Sequence, residues 1–232
     1  MSGAANSQLS ARERILGKLR AAPVSTPPVI PDIDHWFTSR QRNENLSQRT
    51  ARLRAALEAA HAEVYDTTAT EWPALLLKIA AAKGIRNLLI GTGTAHGAAL
   101  EACCPETLEL IRYDQSIETF RDRLFDSIDA GLTLAKGAIA ETGSLILWPD
   151  ANEPRLLSLV PPLHFVLVDP KTIHTDFHAA IRDDKWKDTL PTNALLVSGP
   201  SKTADIQQTL AYGAHGPREV VVLLLNEPGA PA

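Results

Sequence analysis

Asn87-Leu88-Leu89-Ile90-Gly91-Thr92-Gly93-Thr94-Ala95-His96-Gly97 is the stretch that decides the fold. An apolar run of strand length meets a glycine-bearing turn, and small residues then open a helical pattern over 95–102. A strand that turns tightly into a helix is the repeating unit of parallel sheets. Working outward, the same alternation recurs. Short apolar runs at 62–65, 109–113, 132–135, 144–148, 165–168, 194–197 and 220–225 read as strands. Helical spacing at 71–82, 117–124, 155–159, 171–181 and 203–212 fills the intervals. The pattern predicts an α/β fold: a mainly parallel sheet with helices on both faces.

The N-terminal part reads differently. Ser10-Ala11-Arg12-Glu13 has the form of a capping box, and Ile15, Leu16 and Leu19 follow at helical spacing, so a short amphipathic helix is expected to about Ala22. Pro23, Pro27, Pro28 and Pro31 then break it. Residues 1–36 are therefore expected to be a helix and proline-rich linker, and residues 37–232 an α/β domain with a long helix over 46–62 at its start. Such a linker leaves the helix free to pack away from the body, for instance on a second subunit.

Composition narrows the function classes. At 232 residues and 44% hydrophobic content the chain buries a full core. No run approaches the apolar length of a membrane span, and the first residues lack a signal peptide's apolar stretch, so a cytoplasmic protein is expected. Cysteine occurs only as Cys103-Cys104, which fits neither a disulfide framework nor a zinc site. Two thiols also fall short of the four that an iron–sulfur cluster usually takes. The net charge of −4 conceals a basic N-terminus: residues 1–60 carry nine Lys/Arg against five Asp/Glu. That suits either solvated helix faces or docking to an acidic surface. Nucleic-acid binding is not expected, because no basic patch with interleaved aromatics is present.

Four segments carry chemistry. In the Gly91–Gly97 loop, Gly91, Thr92, Gly93 and His96 resemble a dinucleotide fingerprint whose third glycine comes one residue late; a phosphate- or carboxylate-holding loop and a plain tight turn are the alternatives. In Ala140-Glu141-Thr142-Gly143-Ser144, Glu141 precedes a strongly apolar strand, where partial burial would raise its pKa and suit it to proton transfer. Thr142 and Gly143 form the turn beside it. Arg155 is placed to clamp a carboxylate or to pair with Glu153 or Glu141. His164, at the start of a buried strand, reads as a core residue.

The fourth segment is Ser198-Gly199-Pro200-Ser201-Lys202-Thr203-Ala204-Asp205, read as a strand-to-helix turn facing the functional cleft. Ser198, Gly199, Ser201, Lys202 and Thr203 are candidate anion binders there, with Asp205 and simple helix capping as competitors. Gly213 is expected to cap that helix, and His215 to lie near the cleft. No metal-ligand spacing occurs.

Together the 140–145, 155–164, 198–206 and 215–217 segments resemble the LUD-domain family, in particular its lactate utilization protein C branch. Ser144 stands where that family often has threonine, and Lys202 where arginine is common. The resemblance implies a fold similar to the NagB/RpiA/CoA-transferase superfamily and a part in oxidising L-lactate to pyruvate. It also implies iron–sulfur clusters on partner proteins, with no cofactor held by this chain alone. A small carboxylate or phosphorylated ligand is expected, with Glu141 as candidate general base. A homo-oligomer stays open. Two other readings remain: a self-sufficient acyl-transferase or isomerase on the same fold, and a metabolite-sensing binding module.

Overall fold

The computed structural model describes residues 10–22, 29–40, 42–204 and 210–227. The chain divides into two units, Met1–Arg40 and Gln41–Ala232.

The first unit holds α1 (Ala11–Ala21) and α2 (Ile33–Thr38). The expected capping box is present: the Ser10 side chain accepts from the Glu13 N–H, and the Glu13 carboxylate accepts from the Ser10 N–H at 2.8 Å. Helix α1 buries none of its residues. Asp32 caps α2, where Trp36 and Phe37 meet edge to face.

The second unit opens with α3 (Leu46–Ala59), whose Asn45 and Gln48 form a second capping box. β1 (Glu63–Thr68), α4 (Trp72–Ala82), β2 (Asn87–Ile90), α5 (Ala95–Glu101), β3 (Glu109–Arg112), α6 (Ile117–Asp126) and β4 (Ala130–Leu134) follow in the expected alternation. Next come β5 (Gly137–Ile139), β6 (Ser144–Leu147), α7 (Leu156–Leu159), β7 (Leu163–Val168) and β8 (Ile173–His174). The chain then forms α8 (Phe177–Asp183), α9 (Trp186–Thr189), β9 (Leu195–Val197), β10 (Lys202–Ala204), β11 (Leu210–Tyr212) and β12 (Glu219–Asn226).

Six strands make one parallel sheet in the order β1-β12-β7-β4-β2-β3. Strand period assigns its two faces. On one, Leu88, Ile90, Phe165, Leu167, Val221 and Leu223 meet α4 and α5 through Leu76, Ile79 and Leu100. On the other, Val166, Val168, Val220, Val222 and Leu224 meet Leu53 and Leu57 of α3, while Leu89 and Ile111 meet Phe120 and Leu124 of α6. Each such fully buried side chain contributes roughly 1.5–3 kcal/mol. Helices thus cover both faces, as the apolar runs require.

A second sheet, β8-β5-β6-β9, joins the α3 face, with Ala138, Leu145, Leu147 and Ile173 in the same core. Its β5–β6 and β6–β9 pairings are antiparallel. It takes in the expected strands at 144–148 and 194–197, which therefore lie outside the main sheet.

Of the expected helices, one starts late and one is replaced by strand pairing. Over 171–181, a 3₁₀ turn at Pro170–Thr172 is followed by β8, and only then does α8 start, where the Asp176 side chain accepts from the Ala179 N–H. The β-branched Ile173 pairs with Ala138 and interrupts the helical spacing. Over 203–212, Lys202–Ala204 instead pairs antiparallel with Leu210–Tyr212. Cross-strand pairing with residues six to ten positions on has overridden a weak local helical pattern. Asp205 and Ile206 lie outside the described residues.

Candidate functional site

The candidate residues fall into two clusters. The first sits where open α/β sheets bind ligands, at the point where strand order reverses. That point lies between β2 and β4, since β2 leads outward to β3 and β4 leads the other way to β7. The Gly91–His96 loop leaves the carboxyl end of β2 there. It is met by the turn at 150–154: the Thr92 N–H donates to the Asn152 carbonyl at 2.9 Å. Gly91 is required for this approach, because a Cβ would lie 2.5 Å from the Asn152 oxygen. The Asp150 side chain holds the turn by accepting from the Asn152 and Glu153 N–H groups.

His96 uses its Nε2 on Glu153 Oε1 at 2.6 Å, with both side chains largely buried. Thr94 caps α5 by accepting from the Gly97 N–H. Gly93 is exposed at the turn. Beside this pair, Thr133, Ser158 and Glu153 line a small cleft at the carboxyl end of β4, walled by Leu147, Trp148 and Pro154. Thr133 also meets Nε2 of His164 at 2.9 Å. Burial pushes the His164 imidazole down to about 3, so it is neutral at physiological pH. His164 is fully buried, as its position in the sequence suggested.

Arg155 precedes α7 and is exposed; among the described residues it makes no ion pair, since Glu153 is taken by His96.

The second cluster lies in the second sheet against the C-terminal half of α3. Thr142 Oγ1 is 2.7 Å from Ser144 Oγ, which is 2.7 Å from Ser198 Oγ. Antiparallel pairing of β6 with β9 sets Leu145 opposite Val197 and so brings the two motif segments together. Ser144 is buried; Thr142 and Ser198 are exposed. Gly143 takes φ +65° and presses on α3, where an added Cβ would come 2.6 Å from that of Ala56. Gly199 takes φ +125° against Ala60.

Glu141 is exposed, which corrects the expected partial burial: its N–H is tied to the Thr175 carbonyl, but the carboxylate faces solvent. The same carbonyl accepts from Arg52, which pairs with Glu44 at 2.9 Å.

Residues 198–203 form no helix start. Ser201 is held by its backbone, donating to the Pro217 carbonyl and accepting from the Gly213 N–H, so Gly213 closes a turn and caps no helix. Lys202 and Thr203 belong to β10, with Lys202 exposed. His215 is exposed. Thus Thr142, Gly143, Ser144, Ser198 and Gly199 come together, whereas Gly91, Thr92, Gly93 and His96 belong to the other cluster.

Thr133 and Ser158 escaped the sequence reading, and Glu153 entered it only as a partner for Arg155. Glu153 differs in no local way from a surface acid; only the turn at 150–154 brings it to His96. Thr133 had one signal, a hydroxyl inside an apolar strand.

Residues 50–225 match the LUD domain family. The chain belongs to the LUD-domain family. An uncharacterized protein of Neisseria meningitidis serogroup B is 40% identical to it, with 94% of each chain covered. A lactate utilization protein C of an Exiguobacterium species is 28% identical over 75% of this LUD chain and 82% of its own length. A protein of the same name from Oceanobacillus iheyensis is 28% identical, and there the match spans about half of each chain, 52% and 54%. Among solved structures, a DUF162 family protein from Deinococcus radiodurans superposes with a TM-score of 0.58 at 20% identity, covering 79% of this chain and 99% of that one. That likeness concerns the LUD fold alone.

Proposed function

We propose that this LUD-domain chain takes part in L-lactate utilization, as a subunit that works with iron–sulfur proteins in oxidising L-lactate to pyruvate. The observation that carries the reading is the family membership together with similarity to a lactate utilization protein C over three quarters of the chain. Two adjacent cysteines are too few for a four-thiolate cluster, which supports placing electron transfer on a partner.

The ligand in this reading is a small carboxylate held at the Thr142–Ser144–Ser198 hydroxyls. The three hydroxyls use two of their three protons on one another, which leaves one of the exposed pair, Thr142 or Ser198, to turn a proton toward an anion, and Ser144 between them fixes their spacing. Glu141, exposed beside Thr142, is the proton acceptor of choice at that position, and Lys202 supplies positive charge further along the motif.

Deleting the gene and growing cells on L-lactate as sole carbon source tests the reading, combined with affinity purification of the tagged chain from lactate-grown cells. Loss of growth and recovery of an iron–sulfur protein are expected. Normal growth with normal lactate consumption would overturn the role in lactate utilization; recovery without any iron–sulfur protein would overturn the partnership.

A further inference from the structure

A groove of about 470 Å³ runs along α3 at the carboxyl ends of β1, β7 and β12 and shares no lining residue with either candidate cluster. Its floor is apolar, formed by Ala51, Ala55, Pro170 and Leu225, and both alanines are exposed. Its rim is acidic: Glu58, Asp66, Asp169 and Glu227 outnumber Arg54 and Lys171. Arg54 is already committed to Asp66 and Glu58, and Lys171 to Glu227, so the rim keeps a net negative charge.

Helix α1 is the chemical complement of this groove. Arg12, Arg14, Lys18 and Arg20 face a single acid, Glu13. Two of its apolar side chains are exposed, Ile15 by 59% and Leu19 by 67%. At 1.5 Å per residue, the eleven residues of α1 measure about 16 Å. The stretch of α3 that lines the groove, from Leu46 to Glu58, measures about 20 Å by the same rule. Apolar stripe, charge and length all match.

We infer that the groove is a docking site for helix α1 of a second copy of this chain. Ile15 and Leu19 lie on the alanine floor, and the basic residues reach the acidic rim. Residues 22–32, eleven residues with four prolines, separate α1 from α2 and would reach at most about 40 Å if fully extended, enough to carry the helix onto a neighbour. Reciprocal exchange of one helix between two copies gives a closed two-fold dimer.

Analytical ultracentrifugation of the full chain tests the inference. A dimer is expected that weakens as salt rises, because charge pairs at an exposed rim are screened. Leu19→Asp in the helix and Ala55→Arg in the groove are each expected to weaken it by roughly tenfold or more, with the far-ultraviolet circular dichroism of the fold unchanged, since both positions are exposed. A second measurement identifies the occupant. Chains carrying Ile15→Cys are mixed with chains carrying Ala55→Cys, both in a Cys103→Ser, Cys104→Ser background, and treated with a short bis-maleimide. Cross-linking between the two chains supports the exchange. A monomer at all concentrations, a dimer indifferent to both substitutions, or the absence of a cross-link on mixing would each overturn it.

Discussion

Nε2 of His96 lies 2.6 Å from Oε1 of Glu153, although the two residues are 57 positions apart, and this contact closes the crevice between β2 and β4. The pair ties the loop after β2 to the turn at 150–154. It is shielded on both sides, with 10% and 17% side-chain exposure, so solvent screens it little.

Breaking it should be measurable. Glu153→Ala is expected to destabilise the fold by about 1–3 kcal/mol in urea denaturation, the range for a hydrogen bond to a charged group together with the partner it leaves unsatisfied. A double-mutant cycle with His96→Ala should return a coupling of at least roughly 0.5 kcal/mol. Fully additive single effects would show that the contact contributes nothing.

Gly143 admits no side chain without movement. Gly143→Ala places a Cβ against Ala56 at a backbone conformation unfavourable for L residues, so a loss of about 2–4 kcal/mol is expected. Thermal unfolding reads this directly. A substitution that is tolerated would mean that the turn can withdraw from α3.

His164 makes stability depend on pH. Burial holds its imidazole down to about 3, below the ordinary 6.5, so the fold favours the neutral ring. The contribution is fully present above pH 6.5 and is lost as pH falls from 6.5 toward 3, because the unfolded chain takes up the proton first. Urea midpoints across that range should fall for the native chain, and His164→Leu should flatten the part of the slope due to this residue. An unchanged slope would assign the acid sensitivity elsewhere.

The hydroxyl chain separates packing from binding. Ser144→Ala is expected to cost about 0.5–1.5 kcal/mol, since Thr142 and Ser198 are exposed and turn to water. If the cluster holds a small carboxylate, L-lactate or pyruvate should raise the melting temperature of the native chain, and Thr142→Ala with Ser198→Ala should abolish that rise. A rise that survives both substitutions would move the ligand away from these hydroxyls.

Much of the fold was legible because its signals are local. The strand at 87–90, the glycine turn after it and the helix at 95 were read from adjacent residues, and Asn87–Ile90 and α5 follow them. The capping box at Ser10 needed only four residues. The 203–212 segment failed for the opposite reason. Its helical spacing was weak, and the structure pairs Lys202 antiparallel with Tyr212 instead. Likewise Glu141 was expected to be partly buried because an apolar strand follows it, yet burial depends on what covers the turn, and among the described residues that side chain is exposed.

By itself the sequence determined the alternation of strands and helices, the separate N-terminal helix and the family, since each rests on periodicity or on motifs read in order. Only the tertiary structure decided which motifs meet. Antiparallel pairing of β6 with β9 joined Ser144 to Ser198, and the turn at 150–154 brought Glu153 to His96. The physical reason is that hydrogen bonds and burial act through space, so residues distant in the chain become neighbours only when sheets and helices pack.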